Sequence, residues 1–362
     1  MRTMSRITHL RPFILILFIL IPLRSQTPWA RVDSIVTAYL AGQNIPGASM
    51  AVMRNGTLLH SRGYGFSDLE NRVPAEARTK FRIASVSKPI TAAAVMQLAE
   101  RGRIDLDAPV QRYIPEFPVK QRAVTMRQLL GHRSGIRHYR NVDEELRIGG
   151  RSYRDLTEAL SLFMHDTLMH LPGAGYTYTT FGYNVLGVAV ERVTGMPFTE
   201  YVRKNIFDLA AMPNTVPDRP NTIIPFRTRP YSPDSGGTVR NADVIDPGYK
   251  VPGGGFLSTA EDLVRFGDAM MTGRLVRPET FAAMSTPQRL DDGTATVYGL
   301  GWDVGAYAKE GYIAHRGGQQ GATCVLLLFP STRSSVMLLT NMDRGRNILE
   351  TALEVARTAG VR

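Results

Sequence analysis

At positions 85–88 the chain reads Ser85-Val86-Ser87-Lys88, and the mostly apolar run Pro89–Leu98 follows at once. If that run is helical, Ser85 and Lys88 project from one face of its first turn, because residues three apart are neighbours on a helix. A serine hydroxyl becomes a nucleophile when a base takes its proton, and lysine can be that base only if its pKa falls well below about 10.4. The positive end of the helix dipole favours the neutral amine. The four residues therefore predict a Ser–Lys acyl-transfer pair, although a surface helix capped by serine has the same pattern.

Composition places the chain among globular proteins. Its 362 residues are 43% hydrophobic and 21% charged, which is enough to bury a full core in one large domain or two average ones. The net charge of +11 comes mainly from scattered arginines, whereas a nucleic-acid surface would need them clustered. A single cysteine, Cys324, excludes an internal disulfide and sits in an apolar run, so we expect a buried thiol.

The first residues predict a targeting segment. A leader containing Arg2, Arg6 and Arg11 precedes the apolar run Phe13–Leu23, which is shorter than the roughly 20 residues of a membrane span. We therefore expect residues 1–25 to be a signal peptide and the remainder to be periplasmic or secreted. The alternative is an uncleaved N-terminal anchor facing the periplasm, which would be the chain's one contact with a membrane.

Periodicity and turn residues predict strands at both ends and helices between them. Asn55-Gly56 suits a type I′ turn between two strands, and Pro213–Pro252, with its eight prolines, predicts an irregular segment that we expect to help form a cleft wall. Helices are predicted at 32–40, 87–101, 126–131, 153–164, 182–194, 260–271 and 348–358, and strands at 48–53, 57–64, 298–304, 312–314, 323–329 and 335–339. The fold class is then α/β of the α+β type, with an antiparallel sheet lobe (about 26–84 and 290–362) and an inserted helical lobe (about 85–289) within one domain, 26–362.

Two further segments carry groups suited to acyl transfer. Tyr176-Thr177-Tyr178-Thr179-Thr180 opens the predicted helix at 182–194. His315-Arg316-Gly317-Gly318 follows a predicted strand, and its glycines leave room for a substrate and free N–H groups as oxyanion donors. Taken alone, a tyrosine before a helix or a lone histidine is more often structural.

Together and in this order, the three segments resemble the serine β-lactamase and penicillin-binding-protein superfamily. The likeness is greatest to class C enzymes, D-alanyl-D-alanine carboxypeptidases and esterases of that fold. The variant Tyr178-Thr179-Thr180-Phe181-Gly182-Tyr183 is similar to that of the mitochondrial serine β-lactamase-like protein and its bacterial relatives. The connecting segments Thr125–Ile136 and Gly253–Leu263 agree, so the resemblance spans about Val32 to Asn341.

The resemblance implies a role for each matching residue. Ser85 would be the acylated nucleophile, Lys88 the general base or its partner, and Tyr178 a proton shuttle. His315 would polarise the site from the sheet edge, and the N–H groups of Ser85 and Gly318 would form the oxyanion hole.

Three positions near those motifs are expected to contact the substrate: Thr180, Arg316 and Gly317. Two of them depart from the family pattern. Thr180 replaces an asparagine, and Arg316 replaces a hydroxyl residue that meets the substrate carboxylate, although arginine can bind a carboxylate in a bidentate pair. Both changes weaken the expectation of β-lactam hydrolysis more than that of acyl transfer.

The function implied is a serine hydrolase acting on a peptide, a D-amino-acid amide or an ester, with no cofactor and no metal. A β-lactamase and a slow penicillin-binding or structural relative are the alternatives. Asp234-Ser235-Gly236-Gly237 resembles a protease nucleophile loop but follows Pro233, so a turn is the better interpretation. We expect a small-molecule or peptide substrate and no nucleic-acid partner; the oligomeric state is open.

Overall fold

The computed structural model describes residues 28–304 and 311–362. The predicted signal peptide and its cleavage point lie outside these residues, and the limits of the domain and its lobes stay predictions. Within the described residues, no helix is both long and apolar enough to cross a membrane.

Helices occupy most of the middle of the chain. Shorter helical turns are 3₁₀ at Ala84–Val86, Val110–Arg112, Pro247–Lys250 and Pro330–Thr332, and π at Arg203–Phe207. The α-helices are α1 Pro28–Gly42, α2 Ser87–Glu100, α3 Met126–Leu130, α4 Val142–Gly149, α5 Leu156–Leu160, α6 Phe181–Thr194, α7 Phe198–Val202, α8 Asp208–Ala210, α9 Val251–Gly254, α10 Ala260–Met271, α11 Pro278–Met284 and α12 Ile348–Thr358.

Strands from both ends of the chain form one antiparallel sheet in the order β3-β2-β1-β11-β10-β9. Two small sheets, β4-β8-β5 and β6-β7, lie outside it. The strands are β1 Gly47–Arg54, β2 Thr57–Asp68, β3 Val73–Pro74, β4 Phe81–Arg82, β5 Val216–Pro217, β6 Tyr231–Pro233, β7 Val239–Asn241, β8 Phe256–Ser258, β9 Ile313–Gln319, β10 Ala322–Phe329 and β11 Ser334–Thr340. The α+β fold class and the sheet built from both termini are confirmed.

Local sequence signals explain the elements that position the site. Asn55 and Gly56 both have positive φ, as a type I′ turn requires, and they join β1 to β2. Residues Ser87–Leu98 of α2 are all buried, because this helix lies in the main hydrophobic core, packed against α6, α7 and α9. Cys324 is fully buried, as expected.

Two predicted elements differ most from the structure, whereas the strands predicted at 57–64 and 312–314 are longer than expected, as β2 and β9. The strand expected at 298–304 is a tight turn, in which Gly299 N–H donates to the carbonyl of Trp302 and Gly301 has φ of 92°. The helix expected at 153–164 is limited to α5, because Asp155 accepts a hydrogen bond from the backbone of Glu158 and so begins the helix.

The segment Pro213–Pro252 is largely irregular, as expected. Asp234 Oδ1 accepts hydrogen bonds from the N–H groups of Gly236 and Thr238, so the protease-like stretch is a turn between β6 and β7. No described residue of this segment lines the main cleft, so the expectation that it forms a cleft wall is wrong. Its end instead packs under α2, where Thr91 Oγ1 donates to the carbonyl of Pro252.

Candidate active site

Ser85 lies in the 3₁₀ turn Ala84–Val86 that connects β4 to α2. Ala84 has φ of 44°, a left-handed conformation that costs a non-glycine residue about 1 kcal/mol or more. The Ser87 hydroxyl donates to the Ala84 carbonyl at 2.7 Å, which stabilises the turn. Ser85 is partly exposed while both neighbours are buried, so the turn presents its hydroxyl to a cleft.

The Lys88 amine lies beneath Ser85 and is fully buried. Its Nζ is 3.0 Å from Ser85 Oγ, 3.2 Å from Thr180 Oγ1 and 2.7 Å from the carbonyl oxygen of Gly253. The i, i+3 spacing explains the first contact, and the N-terminus of α6 and the turn of α9 supply the other two. The predicted Ser–Lys pair is thus in hydrogen-bonding contact.

Burial lowers the pKa of Lys88 well below its usual value, and the positive charge of nearby Lys250 adds to the effect. A neutral amine has two N–H groups and one lone pair. The Gly253 carbonyl can only accept, so it takes one N–H. With Thr180 Oγ1 accepting the other, the lone pair faces the Ser85 hydroxyl, which is the arrangement that a general base requires.

Tyr178 borders the same pair. Its phenol interacts electrostatically with the Ser85 side chain, and Lys88 Nζ is 4.9 Å from the centre of its ring. Burial raises the pKa of the Tyr178 phenol, so it is protonated and able to donate.

Thr180 remains in contact with Lys88 although it is shorter than the asparagine expected from the family pattern. Gly253 makes this possible. A Cβ on Gly253 would lie 2.7 Å from Thr180 Cγ2, so only glycine allows the two segments to meet around the amine.

His315 lies within β9 and is held by two partners other than Ser85. Its Nδ1 is 2.8 Å from the Arg316 carbonyl, which can only accept, so Nδ1 carries the proton and Nε2 accepts from the Tyr298 hydroxyl at 2.7 Å. Burial lowers the pKa of His315 to about 3, so the ring is neutral near pH 7. A role for His315 as a cation is therefore not supported, and any catalytic role stays a prediction.

The two glycines after Arg316 serve different ends. A Cβ on Gly317 would lie 2.6 Å from Cys324 Sγ and 2.7 Å from the Ile83 carbonyl, so this glycine lets β9 pack against the nucleophile turn. A Cβ on Gly318 would meet open space, which fits the predicted approach of a substrate. The oxyanion hole of Ser85 and Gly318 stays a prediction.

Arg316 is exposed at the cleft and pairs with Asp303, with Nη2 and Oδ2 3.3 Å apart. Burial raises the pKa of Asp303, although the guanidinium opposes the shift. Arg316, which was predicted to bind a substrate carboxylate, is thus paired with a carboxylate of its own chain.

Ser85, with the tyrosine and β9 residues described above, lines one cleft of about 900 Å³, and the Lys88 amine is buried behind Ser85. Among its lining residues are Ser85, His138, Tyr176, Tyr178, Tyr298, Asp303, His315, Arg316 and Gly318. The described residues contain no group of three or more histidine, cysteine or acidic side chains placed to hold a metal ion. The cleft therefore offers a nucleophile, a buried base and hydroxyl donors.

Comparison with known proteins agrees with this geometry. The family model described as Beta-lactamase matches residues 32–359. The chain belongs to the Beta-lactamase family of serine hydrolases. It is 32% identical over 377 aligned positions to the human "Serine beta-lactamase-like protein LACTB, mitochondrial", covering 79% of this chain and 69% of that protein.

Solved structures show the same fold. The penicillin-binding protein from Bacillus halodurans is 26% identical, with a TM-score of 0.75 and coverage of 89% of this chain and 98% of its own. The D-amino acid amidase from Ochrobactrum anthropi SV3, solved with L-phenylalanine amide, is 23% identical, with a TM-score of 0.78 and coverage of 92% and 99%. The second likeness concerns the fold alone.

Three residues of this Beta-lactamase-family site were not selected from the sequence for it. Tyr298 bonds His315, His132 packs 4.3 Å from the Tyr178 ring between centroids, and Gly253 accepts from Lys88. In the sequence, His132 lies in the connecting segment Thr125–Ile136 and Tyr298 begins the predicted strand 298–304, and neither pattern indicates a place in the site. A sequence signal for Gly253 exists, because three consecutive glycines before Phe256 indicate that the backbone there lies close to another segment.

Proposed function

We propose that this chain is a secreted serine acyl hydrolase that forms an acyl-enzyme at Ser85 and acts on a peptide, a D-amino-acid amide or an ester. The observation that carries the proposal is the fully buried Lys88 amine 3.0 Å from Ser85 Oγ at the base of an open cleft. A buried lysine without function would cost stability, whereas a neutral one beside a serine is a ready base.

In the proposed reaction, Lys88 takes the Ser85 proton as Oγ bonds to the substrate carbonyl carbon. The N–H groups of Ser85 and Gly318 stabilise the oxyanion. Tyr178, protonated at rest, donates its proton to the leaving group as the bond to it breaks, and regains one from Lys88. Water then attacks the acyl carbon as Lys88 takes a proton from it. The bond between the acyl carbon and Ser85 Oγ breaks, the carboxylic acid leaves, and Lys88 returns that proton to Ser85 Oγ.

A fluorophosphonate probe tests the nucleophile. We expect covalent label on Ser85 in the wild-type protein, no label in Ser85→Ala, and full label in Ser161→Ala, whose hydroxyl lies on the surface of the protein. A folded wild-type protein that stays unlabelled would sink the proposal. A fluorescent penicillin then reports deacylation, because it forms an acyl ester on Ser85: retention of this acyl label would identify a slow relative, and rapid loss a true hydrolase.

β-Lactam hydrolysis is the second candidate, favoured by the contact that Thr180 keeps with Lys88. A chromogenic cephalosporin separates the two. Under the first proposal, we expect p-nitrophenyl esters or D-amino-acid amides to turn over faster than the cephalosporin. The reason is that Arg316, paired with Asp303 in the cleft, stands where the family pattern has a hydroxyl residue that meets the substrate carboxylate. A higher kcat/KM for the cephalosporin would favour a β-lactamase.

Secretion rests on the basic leader and apolar run at residues 2–23. Fractionation of a host expressing the full chain, with N-terminal sequencing of the product, tests it. A protein found in the periplasm or medium and shortened near residue 25 supports the proposal; an intact soluble cytoplasmic protein contradicts it.

A further inference from the structure

The loop at residues 132–138 and the loop at residues 177–180 are joined by four hydrogen bonds beside the nucleophile. The backbone N–H of Thr177 donates to the carbonyl of His132 at 2.9 Å, and that of Thr179 to His132 Nδ1 at 3.2 Å. Thr179 Oγ1 donates to the Arg137 carbonyl at 2.6 Å, and the N–H of Thr180 to His138 Nδ1 at 3.3 Å. Two imidazoles thus accept hydrogen bonds from two consecutive residues of the loop.

We propose that His132 and His138 are positioning residues whose Nδ1 atoms hold the 177–180 loop so that Tyr178 and Thr180 meet Ser85 and Lys88. The proposal rests on the proposed function for its catalytic consequence, but the hydrogen bonds themselves can be tested without a reaction.

The tautomer of each ring follows from its partner. A backbone N–H can only donate, so each Nδ1 must be unprotonated and each neutral ring carries its proton on Nε2. Protonation would place a donor against a donor and break the contact. Both histidines must therefore stay neutral for the loop to be held.

His132 holds this position at a cost. It is fully buried, its Nε2 has no hydrogen-bond partner among the described residues, and its φ of 57° is left-handed. An unpartnered buried N–H and a left-handed conformation at a non-glycine residue are each unfavourable. The ring packs 4.3 Å from Tyr178 and 4.5 Å from Tyr298 between centroids, which places it against the proposed proton shuttle.

The surroundings keep both rings neutral. Burial lowers the pKa of His138 to about 4, with Lys88, Lys250 and Arg137 opposing a further positive charge and Glu145 favouring one. Burial likewise lowers the pKa of His132 well below its usual value, and the groups facing it are Lys88, His315 and His138. The hydrogen bonds should therefore persist at mildly acidic pH.

Substitution of His138 separates positioning from substrate contact, because His138 also lines the cleft. In His138→Asn the amide oxygen takes the place of Nδ1, in His138→Gln the amide lies near Nε2, and His138→Leu has neither. We expect Leu and Gln to slow fluorophosphonate labelling of Ser85 and the kcat of ester hydrolysis about 10- to 100-fold, with KM changed less, and Asn to restore most of the rate. Rescue by Gln in place of Asn would show that His138 contacts the substrate and would overturn the proposal.

Amide hydrogen exchange supplies the readout that needs no reaction. We expect faster exchange at Thr180 in His138→Leu and near-wild-type exchange in His138→Asn, with thermal unfolding showing that each variant is folded. At the fully buried His132, the Asn variant should likewise protect the amide of Thr179 better than the Leu variant. If wild-type protein resists the probe but these exchange patterns hold, the proposed function fails and the positioning role stands. Unchanged exchange in His138→Leu contradicts the positioning role.

Discussion

The proposed acyl transfer depends on the Lys88 side chain, which must take the proton of Ser85. Three oxygen atoms surround its amine, yet none of them is a carboxylate, so nothing in direct contact compensates a positive charge. The ion pair of Lys250 and Glu145, whose Nζ and Oε1 are 2.6 Å apart, also acts on Lys88: its lysine disfavours a second positive charge there, while its glutamate favours one. Desolvation is the largest contribution, and it selects the neutral amine.

Replacing Lys88 with methionine should abolish labelling and change the pH dependence of stability. Below the usual lysine pKa the unfolded chain binds a proton at Lys88 that the folded protein does not, so this residue makes stability fall as pH falls. Each unit by which the pKa is lowered corresponds to about 1.4 kcal/mol. We therefore expect the stability of Lys88→Met, measured as its unfolding free energy minus that of wild type, to be highest near pH 6 and to decrease toward pH 10.

Urea unfolding at pH 6, 8 and 10 measures this difference. The control is Lys204→Met, because the Lys204 ammonium lies at the surface beside Glu200. If the Lys88→Met difference is the same at all three pH values, Lys88 is charged in the folded protein and cannot be the resting base.

At the scale of elements, the base is enclosed where three helices meet. Lys88 is in the first turn of α2, Thr180 immediately precedes α6, and Gly253 is in α9. Two glycines allow α6 and α9 to lie this close together. Gly253 packs against Thr180, and Gly187 of α6 packs against Pro252. The site is therefore sensitive to one methyl group in α9.

Gly253→Ala tests this enclosure. The new Cβ would lie 2.7 Å from Thr180 Cγ2 and 3.1 Å from the Thr180 carbonyl oxygen, so α9 and α6 must separate. We expect a loss of about 1–3 kcal/mol in stability from overpacking, and a fall of about 10- to 100-fold in labelling rate as Lys88 loses its partners.

Gly254→Ala is the matched control, since its Cβ would have no heavy atom nearer than 3.7 Å. It should keep both stability and labelling rate close to wild type. Equal effects of the two substitutions would show that α9 matters as a helix and that the close approach to Thr180 does not.

Elements with strong local signals could be predicted from the sequence. Asn55-Gly56 determines the β1–β2 turn by itself, and α10 begins at the predicted residue because Thr259 accepts a hydrogen bond from the backbone of Asp262. The segment 298–304 could not be predicted, because its alternating apolar residues imitate a strand while Gly301 turns the chain back. Periodicity records which residues are buried and does not distinguish a strand from a buried turn.

At the scale of the whole molecule, the site gathers residues from distant parts of the chain. Ser85 and Lys88 could be paired from their spacing, and Tyr178 and His315 were added by resemblance. Tyr298 and His132 could not be found in this way, because their roles depend on contacts across 17 and 47 positions that no local pattern encodes. The chemistry was predictable and its supporting hydrogen bonds were not.

Three histidines from distant parts of the chain are buried close to the site, and we expect their burial to make the stability of the protein fall at acidic pH. Burial lowers the pKa values of His132, His138 and His315, with His138 near 4 and His315 near 3. From about pH 6.5 down to those values the unfolded chain binds protons that the folded protein refuses, so stability falls as pH falls. The expected loss is about 1.4 kcal/mol per pH unit for each histidine.

Urea unfolding at pH 7, 6 and 5, followed by the fluorescence of buried Trp302, measures this slope. His138→Asn keeps the acceptor for Thr180 but cannot titrate, so it should remove about one histidine's share of the slope between pH 6 and 5. The exposed His165→Asn should leave the slope unchanged. Asp262 and Asp303, whose pKa values are raised by burial, act in the opposite direction at lower pH, which is why the series stops at pH 5. A slope that His138→Asn does not reduce would mean that His138 is protonated in the folded protein, and the hydrogen bond to Thr180 could not then exist as described.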